Sequence, residues 1–356
     1  MKKYNIIIAF VASLLISCEN EIPFNEKNNP PKLVLNALID INSEENYIFL
    51  TKTGKYDVDS IQDATINIYV NGTLKEQLTE YFIPEFEPDD QLSETTNTLN
   101  YQNMFEYYQK NKQYKTNMRF HPGEKVKIEV LAENNKYHAW AEDIVPAPLE
   151  IEKIDTATYT KDLYNTFMRL RATFTDISSE KHYYRFAVVQ NNTVYFNDIV
   201  EAQSYKEMVS LDTREDIMLN EGKISTDDDI FPQVENRFAV FNNSQFNGTY
   251  TAKMSIFRPV NFYINNADGG ISTNVSISFD VHLISISEMY YYYLKALNIT
   301  SSESYDESFS MPVSYPSNVE GGTGIVGFSS GTVKSFSIPD IIPEKNSWYD
   351  DGYYAN

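Results

Sequence analysis

The chain has 356 residues, 42% hydrophobic and 22% charged, which is enough apolar material for a core and not the composition of a disordered chain. Fifty acids against 29 Lys and Arg give a net charge of −21, leaving no basic surface for a phosphate backbone and arguing against nucleic acid as a partner. One Cys excludes an internal disulfide, while 27 Tyr and 21 Phe supply the large rings that pleated surfaces favour.

At the front, Lys2 and Lys3 precede an apolar or small run from Ile6 to Ile16, which ends in Leu15-Ile16-Ser17-Cys18. A basic start followed by about 7–15 apolar residues is the layout of a secretory signal, whereas a spanning helix needs roughly 20. Leu at minus three and Ser at minus one, directly before the chain's one Cys, look like a bacterial lipobox. That implies cleavage after Ser17, lipidation of Cys18 and a membrane held through the anchor. Losing residues 1–17 removes Lys2 and Lys3 and no acid, so 27 basic groups face 50 acidic ones and the mature charge is −23. Each buried CH₂ of an acyl chain contributes about 0.8 kcal/mol, so one chain holds marginally and several hold durably. Residues 18–31, with Glu, Asn and Pro and few large apolar side chains, read as a flexible tether. The acidic body would be repelled by an anionic lipid surface.

Period-two alternation then dominates. Leu33 to Ile39 and Tyr47 to Thr51 read as strands, and Ala64, Ile66, Ile68 and Val70 alternate with Thr65, Asn67 and Tyr69 before an Asn71-Gly72 hairpin turn. Val126, Ile128 and Val130 alternate with Lys125, Lys127 and Glu129, and the chain returns from Lys136 to Asp143 after Glu133-Asn134-Asn135. About six strands over residues 32–147 predict an immunoglobulin-like or fibronectin-like sandwich, closed by a Val145-Pro146-Ala147-Pro148 linker whose prolines cannot donate to a ladder. An insertion at residues 80–122 does not read as sandwich. It is acidic around Glu85 to Asp90 and aromatic from Tyr101 to Lys112, where a short helix fits. A long loop in a compact domain is commonly functional, so Tyr101, Phe105, Tyr107 and Tyr108 are candidate contact residues.

Residues 148–340 form a larger β-rich second domain, followed by a tail at 341–356. Leu170, Ala172 and Phe174, then Tyr184, Phe186 and Val188, then Val275, Ile277, Phe279, Val281 and Leu283 each point to one side. Ser287 caps a predicted helix over Glu288 to Asn298, with Leu294 and Leu297 on its apolar stripe. Gly321 to Pro339 reads as a closing strand pair. The predicted fold is all-β: two β-sandwich-like domains, the second with one short helix.

Motifs that carry chemistry are weak. Gly322-Thr323-Gly324-Ile325-Val326-Gly327 has the G-x-G-x-x-G spacing of a dinucleotide loop, but that fingerprint needs a helix directly after it, and the residues after Gly327 are strand-like. Gly327-Phe328-Ser329-Ser330-Gly331 has the G-x-S-x-G spacing of a nucleophile elbow, but the triad of that fold places its His after the Ser, and the last His here is His282. His121, His138, His182 and His282 lack metal-ligand spacing to one another, and polar strand faces account for His138 and His282. Asp89-Asp90 and Asp227-Asp228-Asp229 lack a calcium-loop pattern and read as solvated acidic loops. The expectation is therefore no catalytic residue, no metal and no cofactor.

Several stretches together resemble the Bacteroidota lipoproteins grouped as domain of unknown function 4249. They are Cys18-Glu19-Asn20-Glu21-Ile22-Pro23, Lys32 to Ala37, Asp63-Ala64-Thr65 running to Val70-Asn71-Gly72, Pro122-Gly123-Glu124, Phe246-Asn247-Gly248, Ser285-Ile286-Ser287 before the Tyr-rich helix, and Pro316-Ser317-Asn318-Val319 to Gly327. The resemblance implies an outer-membrane lipoprotein facing the cell surface, of a kind found beside TonB-dependent transporters. Glu19 and Glu21 are similar to an export signal for such proteins, and Asp59-Ser60-Ile61 and Asp155-Thr156-Ala157 look like the phylum's O-glycosylation sites. The family transfers no catalytic residue. A non-enzymatic accessory that binds ligand or transporter barrel is the expectation. A surface hydrolase acting on glycan or peptide and an adhesin or structural surface protein stand as alternatives.

Overall fold

The computed structural model describes residues 30–54, 58–80, 82, 107, 110–160, 166–195, 202–220, 234–257, 264–265, 271–272, 274–302, 305 and 313–338. The expected leader, the first twelve residues of the tether, Cys18 and the tail lie outside them. Eight strands come from the first 144 residues: β1 (Leu33–Asp40), β2 (Asn46–Thr53), β3 (Val58–Asp59), β4 (Ala64–Val70), β5 (Thr73–Leu78), β6 (Lys112–Thr116), β7 (Lys125–Ala132) and β8 (Tyr137–Ile144). The middle of the chain supplies β9 (Lys153–Thr160), β10 (Thr166–Asp176), β11 (Tyr183–Tyr195), β12 (Ala202–Met208), β13 (Leu211–Asp212), β14 (Val240–Asn242) and β15 (Gly248–Phe257). The last elements are β16 (Ile264–Asn265), β17 (Ile271–Ser272), β18 (Asn274–Ile286), helix α1 (Glu288–Thr300) and β19 (Thr323–Ile338). The fold is all-β with one short helix.

Alternation explains why these segments pair as they do. In β1 the side chains of Leu33, Leu35, Ala37 and Ile39 are fully buried while Asn36, Leu38 and Asp40 turn outward, so a slip of one residue would invert the strand. Asn71 and Gly72 both take positive φ, 49° and 77°, as the tight turn between β4 and β5 requires. One sheet runs β12-β11-β18-β19-β1-β2-β3, with β14 on β11 and β6 on β2. Its β1 side packs on the sheet β5-β4-β7-β8 through a core that includes Leu35, Ile48, Ile68 and Ile128. Its β11 and β18 side packs on the sheet β13-β15-β10-β9 through Phe174, Phe186, Met254 and Phe279. Two sandwiches thus share a continuous layer.

The strand common to both is β19. Residues 323–329 run parallel to β1, and residues 329–338 run antiparallel to β18. The closing strand pair expected at Gly321 to Pro339 is therefore one strand of 16 residues. Ser329-Ser330-Gly331 looks like a turn by composition, yet Ser330 is fully buried and donates its hydroxyl to the Pro146 carbonyl, so the segment stays extended. A second difference is β6, which lies in the segment expected to fall outside the sandwich and pairs with β2. Its sequence is Lys-Gln-Tyr-Lys-Thr, and Lys112, Gln113, Tyr114 and Thr116 are all buried, so polar residues hide the alternation. Helix α1 forms where the sequence places it and packs Tyr291 and Leu294 on Tyr183, Val240 and Ile286. Its cap differs from expectation: Ser287 Oγ accepts from the Phe328 N–H at 3.2 Å and makes no side-chain bond to the helix.

Candidate functional site

The two glycine motifs run from Gly322, just before β19, along that strand to Gly331. A Cβ on Gly322 would sit 2.6 Å from the Leu33 carbonyl oxygen, one on Gly324 2.1 Å from that of Leu35, and one on Gly327 2.9 Å from Tyr290 Cβ. The glycines therefore serve close approach of β1 and α1 to β19, which accounts for the spacing without a pyrophosphate. Ser329 lies inside the same strand, buried, with its hydroxyl directed to the Ile39 carbonyl at 3.4 Å. A nucleophile elbow would need a sharp turn there, and none exists.

The candidate contact residues Tyr101, Phe105 and Tyr108 lie outside the described residues, as do Asp89-Asp90 and Asp227-Asp228-Asp229. Tyr107 is exposed, and its carbonyl accepts the Asn111 N–H at 2.8 Å; the short helix expected from Tyr101 to Lys112 lies largely outside the described residues. Ser60 and Thr156, in the expected glycosylation patterns, are both exposed. His121 lies against Glu124, and His138 lies against Glu129 at 3.2 Å on the polar face of β8. Among the described residues, no group of three or more His, Cys, Asp and Glu side chains could hold a metal ion.

His182 belongs to a cluster at the β10–β11 connection. Asp176 Oδ2 accepts from Tyr184 Oη at 2.6 Å and Asn243 Nδ2 at 2.9 Å, with His182 Nδ1 at 3.2 Å. Burial works to raise the Asp176 carboxyl, but hydrogen bonds from Tyr184, the Ser178 N–H and Asn243 outweigh it and leave it below its ordinary value. Burial and the same carboxylate push the Tyr184 phenol up, so it stays protonated as a donor. These hydrogen bonds serve the connection between strands.

The outward face of β18 is different. Phe279, Val281 and Leu283 enter the core, while Ser278, Asp280, His282 and Ile284 face away from it. Register sets Arg185 of β11 beside Ile284, Ala187 beside His282 and Val189 beside Asp280, and on the other flank Val333 of β19 beside His282 and Ser335 beside Asp280. Asp280 accepts from Ser335 Oγ at 2.5 Å and Asn191 Nδ2 at 2.8 Å, and these bonds hold its carboxyl below the usual range. Burial pushes the His282 imidazole down against the pull of Asp280 and Asp40, so it is neutral at pH 7.

Arg185 lies diagonally across from His282, a separation of about 7–8 Å between strand positions. Its Nε is buried without a hydrogen-bond partner, and its guanidinium lies over the Phe238 ring, 5.9 Å from the centroid. Arg119, Arg169, Arg214 and Arg237 each hold a carboxylate; half-buried Arg185, like exposed Arg171, holds none among the described residues. Two large apolar side chains on this face are open to solvent, Val333 at 54% and Met208, beside Val189, at 68%. Exposed apolar side chains beside charged and polar ones on one sheet face have the chemistry of a binding surface. It lacks the order of a hydrolytic triad: Ser335 donates directly to Asp280, whereas a relay needs the imidazole between hydroxyl and carboxylate.

A family model described as "Domain of unknown function (DUF4249)" matches residues 19–335. The chain belongs to the DUF4249 family. Comparison with curated proteins finds no match. The DUF4249 match runs from the residue after Cys18 into β19, so both sandwiches and the strand that joins them belong to the family unit. Within this DUF4249 chain, sequence reasoning missed Arg185, because on β11 it looks like an ordinary outward charge. Its partial burial with an unpaired Nε and no carboxylate sets it apart, and that depends on strand order.

Proposed function

We propose that this DUF4249 chain is a non-enzymatic lipoprotein, anchored at Cys18 in the outer membrane and facing the cell surface, which captures a ligand for a TonB-dependent transporter. The observation that carries the reading is the outward face on which half-buried Arg185 and His282 lie together with solvent-exposed Val333 and Met208, a surface without a nucleophile and base in relay. Leu15-Ile16-Ser17-Cys18 at the end of the leader supports the anchor, and Glu19 and Glu21 support export to the surface. Helix α1 spans 13 residues, and no helix among the described residues is long and apolar enough to cross a membrane. The accessory role is tested by affinity purification of the tagged native protein from detergent-solubilised outer membrane. Co-purification of a β-barrel in comparable amount is the expected result, and recovery of the protein without one would refute the partnership.

A further inference from the structure

Resting on that ligand-capture reading, we propose that Arg185 and His282 form a subsite for a carboxylate group of the ligand. A guanidinium is a planar fork that matches a carboxylate through two parallel hydrogen bonds, and it keeps its charge at every physiological pH. In a chain with 50 acids and 29 Lys and Arg, a half-buried Arg left without an acid is the exception, and its Nε donor is desolvated with nothing in exchange. A bound carboxylate would supply the missing charge and the missing acceptors together.

Two acids act on His282, Asp280 of β18 and Asp40 of β1, and neither pairs with Arg185. The guanidinium already lies over the Phe238 ring, 5.9 Å from its centroid, a cation–π contact made before any ligand arrives. Asp280, the nearest acid on β18, is engaged by Ser335 and Asn191 and does not reach Arg185. Neutral His282 offers a ring N–H to the same group, and exposed Lys206 adds positive potential. Val333 and Met208 supply apolar contact for the rest of the ligand.

The test is ligand-detected NMR and calorimetry on the full chain in detergent, with glucuronate, glucose and acetate as probes. Glucuronate should bind while glucose does not, and Arg185→Met should weaken glucuronate at least tenfold with an unchanged thermal midpoint. Arg185→Lys, which keeps the charge and loses the fork, should weaken it severalfold, and His282→Gln should do the same. Acetate binding with the same Arg185 dependence would assign the contact to the carboxylate alone and still support the subsite. Equal binding of glucose and glucuronate, binding indifferent to Arg185→Met, or no binding of either carboxylate would overturn it. Barrel recovery is read separately: carboxylate binding without a barrel would remove the accessory role and leave the subsite, and a barrel without carboxylate binding would do the reverse.

Discussion

Ser330 Oγ donates to the Pro146 carbonyl at 2.7 Å, tying the middle of β19 to a residue 184 positions earlier in the chain. Two residues on, Thr332 Oγ1 donates to Leu149 at 2.6 Å, and then Lys334 Nζ donates to Glu152 at 2.6 Å. Side chains at every second position of one strand therefore take the carbonyls of the segment between the sandwiches. The linker is held along its length by the strand that both sandwiches share. Replacing the hydroxyls in Ser330→Ala with Thr332→Val removes two part-buried hydrogen bonds, at about 0.5–1.5 kcal/mol each. Limited proteolysis should cut residues 146–152 of the double variant well before any other described segment, and an unchanged cleavage pattern would contradict the clasp.

Gly324 has φ +115° and a would-be Cβ 2.1 Å from the Leu35 carbonyl oxygen, whereas Gly123 has φ +84° with nothing within 4 Å. Alanine at Gly123 meets only backbone strain, about 1–2 kcal/mol. Alanine at Gly324 adds a clash with the backbone of β1 and should cost several kcal/mol, among the larger single-residue effects. Thermal unfolding of the two variants should separate them clearly, with Gly324→Ala losing the pairing that closes the first sandwich.

Glu129 is bonded by Lys127 at 2.9 Å, His138 at 3.2 Å and Tyr69 at 3.0 Å, and these hold its carboxyl down to about 2 from an ordinary 4.5. A carboxyl depressed by folding contributes stability above its unfolded value and loses it as pH falls through the folded one. The excess stability of the native chain over Glu129→Gln should therefore be full at pH 6 and shrink between pH 4.5 and 2. Urea midpoints across that window measure it, and a constant difference would refute the ion-pair account.

Phe174 is fully buried and has rings of Tyr184, Phe186, Phe241, Phe246 and Tyr250 within 5.8–6.3 Å of its own. Truncation to Ala leaves a cavity among large rings and should cost about 3–5 kcal/mol. Chemical denaturation should show that loss in the second sandwich, whose core is separate from the one around Leu35 and Ile128.

Legibility in the sequence tracks the visibility of alternation. β1, β4, β7, β10, β11 and β18 carry apolar residues at every second position, and those residues are the core. The strand β6 is hidden because it buries Lys, Gln and Thr, and Lys112 reaches the Gln62 carbonyl at 2.5 Å in place of apolar contact. The parallel pairing of Val34 with Thr323 is equally invisible, because no local pattern names a partner nearly three hundred residues away. For the same reason Arg185 and His282 read separately as strand-face residues, and only the order β11-β18-β19 makes them neighbours.

The central claim, a protein fixed to the envelope by its first mature residue, is tested most directly by intact-mass spectrometry of the native material. The account predicts a chain that starts at Cys18 and carries the mass of a glyceryl group with two or more acyl chains. A retained leader, or a chain starting at Cys18 with an unmodified thiol, would contradict it.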